Sequence, residues 1–92
     1  MIYWEEDALK DRERIFEFLY NFNPIVAEQT DSLIQNKVET LLEQPYIGVK
    51  RENIKGRLLI LPDVSMLVPY YIDGTNIRVL RELHEKQQFP FT

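Results

Sequence analysis

Three apolar segments near the C-terminal end, separated by two tight turns, constrain the fold more than any other feature. They are GRLLIL at 56–61, MLVPYYI at 66–72 and NIRVLREL at 76–83. PDVS separates the first two, and the hairpin dipeptide Asp73-Gly74 separates the last two. Short apolar segments bounded by glycine and proline are typical of strands. The sequence therefore predicts an antiparallel meander of three strands.

Two amphipathic helical patterns precede these strands. Apolar residues follow helical spacing through residues 8–22, with Asp7 as the expected N-cap. Asn23 and Pro24 then end this helix and begin a second one, because asparagine caps a helix and proline suits its first position. The second pattern continues to about Glu43. So short a break between two helices predicts an antiparallel helical hairpin.

The resulting element order predicts a fold of the α+β class. Residues 1–4, MIYW, favour a further strand, so the order is β-α-α-β-β-β. Such an order places the helical hairpin on one face of a mainly antiparallel sheet. The chain has 92 residues, enough for one modest core, and we expect a single domain over residues 1–92.

Composition excludes several classes of function. The chain contains no cysteine and one histidine, His84, which argues against disulfide frameworks, thiolate chemistry and multi-histidine metal sites. No apolar stretch approaches the roughly 20 residues of a membrane span, and the acidic N-terminus lacks signal-peptide character. The net charge is −4, and residues 1–45 hold ten acidic against four basic side chains. We therefore expect a cytoplasmic protein without metal or cofactor, and a weak binder of polyanions at most.

The first two strands of the meander are apolar on both faces. In the first strand Leu58 and Ile60 point one way, whereas Leu59 and Leu61 point the other. Two helices from a short chain cover one face, so the second face should carry an apolar patch that a partner covers. Two alternatives remain open: a homodimer, or a C-terminal tail that folds back with Phe89 and Phe91.

Four segments that together span nearly the whole chain carry a family resemblance. EEDALKDRERIFEFLYNFNPIVAE resembles an opening helix, an Asn-Pro break and the start of a second helix, and VETLLEQPYIGVKR a leucine-rich helix end followed by proline and glycine. GRLLILPDVSMLVPYYIDGTNIRVLRELH resembles a closing meander, and HEKQQFP a basic ending. In this order they resemble the RelE/ParE superfamily of toxins from bacterial type II toxin–antitoxin modules.

The resemblance implies a toxin that arrests bacterial growth until a cognate antitoxin neutralises it. Such an antitoxin usually has a disordered tail that folds onto the toxin, which suits an apolar second face and forms a hetero-oligomer. The residues expected to contact the antitoxin are Leu59, Leu61, Met66 and Val68.

The superfamily contains two mechanisms, and the residues favour one of them. ParE-like members inhibit DNA gyrase and have no known chemistry, whereas RelE-like members resemble ribosome-dependent, metal-independent mRNA endonucleases. Met66 stands where the family commonly has arginine, and the chain is acidic, so we expect the gyrase mechanism. The nuclease alternative, acting on mRNA at the ribosome, stays open, as does a relic that only binds partners; whether the chain is an enzyme is left undecided.

The nuclease alternative requires a cluster of basic side chains. Cleavage by a 2′-hydroxyl needs a base, an acid and cations near the phosphate, and the candidates are Arg57, Arg78, His84 and Lys86. On one regular strand, Arg78 and His84 would share a face and Arg81 would lie on the other. Equally, His84 can be a partly exposed residue at a strand end that bonds nearby backbone.

A basic segment and the last strand supply the candidate contacts to a target. These residues are Lys50, Arg51, Lys55 and Arg81. The segment VKRENIKGR can equally be a solvated loop. Arg81 can instead form an ion pair with an acid of the first helix, such as Glu13 or Glu17. Pro69 lies inside the second strand of the meander and predicts a bulge or irregularity there, because proline removes a ladder hydrogen bond.

Overall fold

The computed structural model describes residues 1–86 and confirms the α+β architecture. The core lies between two helices and one face of a sheet, and it joins Ala8, Ile34 and Val38 of the helices to residues of the central strands. The elements are β1 (Ile2–Trp4), α1 (Glu6–Phe22), α2 (Pro24–Glu39), a 3-10 turn (Thr40–Leu42), β2 (Val49–Lys50), β3 (Arg57–Leu61), a second 3-10 turn (Pro62–Val64), β4 (Met66–Asp73), β5 (Asn76–Val79) and β6 (Leu83–His84).

The sheet is mixed but mainly antiparallel. Its order is β1-β5-β4-β3-β2, with β6 paired to β4. Strand β1 runs parallel to β5, and all other pairs are antiparallel. The predicted meander is thus present as β3, β4 and β5. The two-residue strands β2 and β6 were not predicted, since segments so short leave no periodic signal.

The helix boundaries follow the capping chemistry in one case out of two. At α2 the Asn23 side chain accepts hydrogen bonds from the amides of Ile25 and Val26 at 3.0 and 3.4 Å, as expected. The cap expected at Asp7 is wrong: α1 begins at Glu6, and the capping residue Glu5 makes no side-chain bond there. Helix α2 ends at Glu39 and tightens into the 3-10 turn before the expected Glu43.

Tyr70 links the core to the loop before β2. Its ring is fully buried, and its hydroxyl donates to the Pro45 carbonyl at 2.6 Å and accepts from the Gly48 amide at 2.9 Å. Gly48 must be glycine, because a Cβ there would lie 2.6 Å from the Tyr70 ring. Burial raises the pKa of Tyr70, so the hydroxyl remains a neutral donor.

Replacing Tyr70 with phenylalanine should destabilise the fold without disturbing its packing. The Tyr70→Phe change removes one oxygen and leaves the buried Gly48 amide without its acceptor. We expect the free energy of unfolding to fall by about 1–3 kcal/mol, the usual penalty for an unsatisfied buried group. Urea denaturation measures it, with the exposed Tyr46→Phe as the control. Equal stability of the two variants would contradict this role.

Pro69 lies where β4 changes partner from β5 to β6, so the irregularity expected there is present as this change and not as a bulge. It is paired in register with Leu58 of β3. On its other side the Leu80 amide donates to the Pro69 carbonyl at 2.8 Å, but Pro69 has no N–H to return a bond. Strand β5 accordingly ends at Val79, and β6 pairs with the opposite end of β4. The single strand predicted over residues 76–83 is therefore wrong.

The helices cover the face of the sheet that we expected a partner to bind. The four residues expected on the partner-binding face all lie in the core beneath the helices and are at most 8% exposed: Leu59, Leu61, Met66 and Val68. The open face instead carries the residues of opposite parity. On it Ile60 is 40% exposed, whereas Leu58 and Leu83 are buried. The tail residues Phe89 and Phe91 lie outside the described residues.

Candidate functional site

The residues expected to form a nuclease cluster do not come together. Arg57 is paired with Tyr70 and so lies on the helix side of the sheet. Its guanidinium donates to the carbonyls of Gly48 and Tyr46 at 2.9 and 3.3 Å and stacks on the Tyr46 ring at 5.1 Å. These bonds occupy Arg57 with the loop that also binds Tyr70, which is a structural role.

Arg78 lies on the opposite, open face of the sheet. It is in register with Tyr71 of β4 and with Tyr3 of β1. Its guanidinium bonds Asp73 at 2.9 Å, lies 3.5 Å from Glu5, and sits over the Tyr3 ring at 5.0 Å. The hydrogen bond to Asp73 raises the pKa of Arg78. Two carboxylates offset its charge, so it offers little to a phosphate.

His84 also lies on the helix side, but it is separated from Arg57 along β4. It pairs with Met66, whereas Arg57 pairs with Tyr70, four residues further along the same strand. Its Nδ1 accepts a hydrogen bond from the Lys86 amide at 3.2 Å. The face shared by Arg78 and His84 was therefore wrongly predicted, because the chain leaves the strand after Val79 and re-enters at Leu83.

Three of the four expected target contacts form an exposed basic loop. Lys50, Arg51 and Lys55 are exposed in and around the β2–β3 connection. Lys55 lies 4.6 Å above the Tyr71 ring, which extends this basic loop towards the open face. Gly56 lets the backbone of this connection pass close to β4. It has φ +84°, and a Cβ there would lie 2.7 Å from the Tyr71 Cβ. Arg81, the fourth residue, lies elsewhere.

Arg81 forms an ion pair with the first helix, through Asp11 rather than Glu13 or Glu17. Its Nε and Nη2 bond the two oxygens of Asp11 at 2.6 and 3.0 Å. The carboxylate is only 4% exposed, and it also accepts from Arg14 at 2.9 Å and from the Glu82 amide at 3.0 Å. Asp11 thus anchors the segment between β5 and β6 to α1, and the bond to Asp11 raises the pKa of Arg81.

Glu82 is a buried carboxyl group beside this ion pair. It is 1% exposed, and within the described residues its Oε1 has no hydrogen-bond partner. Burial, with the charges of Asp31 and Asp11, raises the pKa of Glu82 to about 7, against the opposing effect of Arg12. Buried carboxyl groups of this kind are found at binding and catalytic sites more often than elsewhere.

A pocket of about 500 Å³ opens between α1 and the sheet above Glu82. We call it the helix–sheet pocket. Ile15, Phe18 and Leu19 of α1 form one wall, and Val64 and Met66 form the other. Phe18 is 63% exposed and packs edge-on against Phe22 at 5.2 Å. The apolar spacing over residues 8–22 includes both phenylalanines, yet they lie exposed on the surface of α1.

Sequence reasoning missed Asp11 and Glu82, the two buried charged residues among those described. Asp11 stands among other charged residues of α1, and Glu82 alternates with apolar residues as a solvent-facing strand residue would. The one available signal was the ion pair foreseen for Arg81, which requires a partner on the first helix. Nothing in the sequence identified which acid.

Two negative findings apply to residues 1–86. Within that range no three histidine, aspartate or glutamate side chains lie close enough to hold a metal ion. In the same range neither helix has both the length and the apolar character needed to cross a membrane.

Comparison with known proteins identifies the family. Residues 2–89 match the family described as "ParE toxin of type II toxin-antitoxin system, parDE". The chain is 28% identical over 89 residues to "Putative toxin Y4kP" of Sinorhizobium fredii (strain NBRC 101917 / NGR234), covering 97% of this chain and 92% of that protein. The fold is similar to a chain of "Chromosomal ParDE TA system from P. aeruginosa", with a TM-score of 0.77, 22% identity, and coverage of 90% and 92%. The resemblance to the RelE/ParE superfamily is confirmed, and the family description supports an antitoxin as partner. The chain belongs to the ParE toxin family of type II toxin–antitoxin systems.

Proposed function

We propose that this toxin arrests growth in the cytoplasm by binding and inhibiting DNA gyrase, with no chemistry of its own. One observation carries the proposal against the nuclease alternative: the candidate catalytic side chains are dispersed. Arg57 and His84 lie beside Tyr70 and Met66, four residues apart along β4, and Arg78 lies on the other face. Cleavage of RNA needs acid, base and cation within hydrogen-bond reach of one phosphate. Membership of the ParE branch supports the same conclusion.

The basic loop is the surface that we propose contacts gyrase. Lys50, Arg51 and Lys55 are exposed, and the nearest acid in this segment is the single Glu52. The chain as a whole is acidic, with 15 acidic against 11 basic residues. A locally basic site on an acidic protein directs association with a negatively charged target surface and raises the rate of encounter.

We propose that the antitoxin covers the exposed apolar surface of the helices. Phe18 and Phe22 of α1, with Ile25 and Val26 of α2, are 42–78% exposed, and Phe18 lines the helix–sheet pocket. Exposed apolar residues that cluster beside a pocket are typical of a protein–protein interface. This surface replaces the core residues first expected to contact the antitoxin.

Purified toxin should inhibit supercoiling by gyrase in vitro, and the Arg51→Glu variant should inhibit at least tenfold less well. The charge reversal removes attraction at the basic loop, while an exposed substitution changes the free energy of unfolding by about 0.5 kcal/mol or less. Lys37→Glu, an equally exposed reversal on α2, is the control and should leave inhibition unchanged. Gyrase that supercoils normally in excess toxin would refute the proposal.

A second assay on the same protein tests the alternative mechanism. Ribosomes that carry message should leave the RNA intact when toxin is added. Cleavage that His84→Ala slows by roughly 100-fold, the scale of a lost acid or base, would contradict the gyrase proposal. Induction of the chain alone in a bacterium should stop growth. Unaffected growth would instead indicate a relic without toxic activity.

A further inference from the structure

The helix–sheet pocket combines apolar walls with a carboxyl group at its floor. Glu82 lines both this pocket and a narrow crevice between α1 and α2 that has no room for a water molecule. Its Oε1 is buried and has no partner in the described part of the chain. A buried polar atom without a partner destabilises the fold, so a donor that reached it would be favoured.

Among the buried carboxyl groups around the pocket, Glu82 is the one that can still accept a hydrogen bond from a ligand. Asp11 is occupied by Arg81, Arg14 and a backbone amide, and Arg12 is held by Asp31 at 2.8 and 2.9 Å. The charged and titratable groups around Glu82 and the pocket are Asp11, Arg12 and Arg14 on α1, Asp31 on α2, Asp63 before β4 and His84 on β6. The cations nearest Glu82 in this set are thus committed to other carboxylates.

We propose that the helix–sheet pocket binds a lysine side chain of the antitoxin, with its apolar stem between Phe18 and Val64 and its ammonium group on Glu82. The stem of lysine is a chain of four methylene groups that packs on apolar walls, and its ammonium is a compact donor. Phe18 is exposed and can turn aside at little cost to admit it. Lysine suits the site better than arginine, since its ammonium donates to the single buried Oε1 as a compact point charge, whereas a planar guanidinium prefers two oxygens at once.

This proposal rests on the proposed function only in taking the antitoxin as the source of the lysine. The net charge of −4 favours a cationic occupant of the pocket over an anionic one. The exposed phenylalanines at its mouth favour an apolar segment around that lysine. The site itself is defined by side chains of this chain and is testable without gyrase or antitoxin.

Titration of the full-length toxin with n-hexylamine tests the site directly. At pH 8 we expect shifts of the amide NMR signals of Ile15, Phe18 and Val64, with affinity at least tenfold above that of n-hexanol. Glu82→Gln should lower the affinity at least tenfold, whereas the exposed Glu85→Gln should leave it unchanged. Equal binding of amine and alcohol, binding of n-hexanoate as strongly as the amine, or no binding at all would overturn the proposal.

The pH dependence separates ionised Glu82 from its neighbours. Hexylamine stays protonated from pH 6 to 8, whereas Glu82, with a pKa of about 7, loses its charge as the pH falls. Affinity should therefore drop roughly tenfold from pH 8 to pH 6, by linkage. His84→Asn should retain this drop, and Glu82→Gln should abolish it. A drop that persists in Glu82→Gln would show that another group binds the amine.

The antitoxin itself provides the final comparison. Glu82→Gln should weaken the complex with the cognate antitoxin at least tenfold while leaving inhibition of gyrase unchanged. Unaltered affinity for the antitoxin would contradict lysine recognition, even if the gyrase mechanism holds. Conversely, if wild-type toxin did not inhibit gyrase, the amine titration would still test the helix–sheet pocket.

Discussion

Replacing Asp11 with asparagine is expected to lower the free energy of unfolding by about 3 kcal/mol. The carboxylate is 4% exposed and accepts two bonds from Arg81, one from Arg14 and one from the Glu82 amide. Asparagine keeps the shape but loses the charge and one acceptor oxygen. Breaking a buried pair costs about 3–5 kcal/mol; the lower end applies because Arg81 is partly exposed and screened by water.

Thermal and urea denaturation of Asp11→Asn measure this loss. Glu13→Gln, an exposed neutralisation on the same helix, is the matched control and should change stability by about 0.5 kcal/mol or less. The segment of residues 80–82 should also lose protection of its amides from hydrogen exchange, because Asp11 holds it to α1. A variant as stable as Glu13→Gln would show that the ion pair contributes nothing.

We expect the Glu82→Gln variant to gain stability over the wild type as the pH rises. The difference between their free energies of unfolding should be about 3 kcal/mol larger at pH 8 than at pH 4. The pKa of Glu82 is about 7 in the folded chain, against an ordinary value of 4.5. Below pH 4.5 both states are protonated, and no penalty arises. As the pH rises from 4.5 to 7 the unfolded chain releases the proton first, so the folded state loses stability at about 1.4 kcal/mol per pH unit. Above pH 7 the full loss remains.

Glutamine carries no titrating proton, so the variant should lack this decline. Urea unfolding at pH 4, 6 and 8 follows the difference between variant and wild type, which should grow with pH and then level off. The control Glu85→Gln changes an exposed carboxyl and should leave the profile of the wild type unaltered. A pH-independent difference would mean that Glu82 titrates near its ordinary pKa. A Glu82→Gln variant that is more stable but binds the antitoxin less well would show the trade-off between stability and function that is common at functional sites.

The fold was predictable because its signals are local and repeated. The Asn23 cap, the Asp73-Gly74 turn and the apolar segments each specify their own element over several residues. The errors concern the assignment of individual strand residues to one face of the sheet or the other. The predicted strand over residues 76–83 fixed the parity of Arg78 and His84, yet Pro69 offers β5 no donor and the strand ends at Val79.

The candidate site was less predictable than the fold, for a physical reason. Leu59 and Leu61 differ from Leu58 and Ile60 in parity alone, and both pairs are apolar, so composition does not say which pair the helices cover. Likewise Glu82 occupies a polar position in an alternating segment, and its burial depends on α1 and α2 meeting above it. Contacts across 70 residues of sequence, such as Arg81 with Asp11, leave no local pattern.

The sequence by itself determined the order of the two helices and the longer strands, the α+β class and the superfamily, because periodicity, turn residues and segment order are properties of the chain alone. Only the tertiary structure decided which face is core, which cations are paired and where an unpaired carboxyl remains. Those properties depend on distances between segments far apart in sequence. The proposed basic loop could be read from the chain, whereas the helix–sheet pocket exists only once α1 packs against β4 and Glu82 closes its floor.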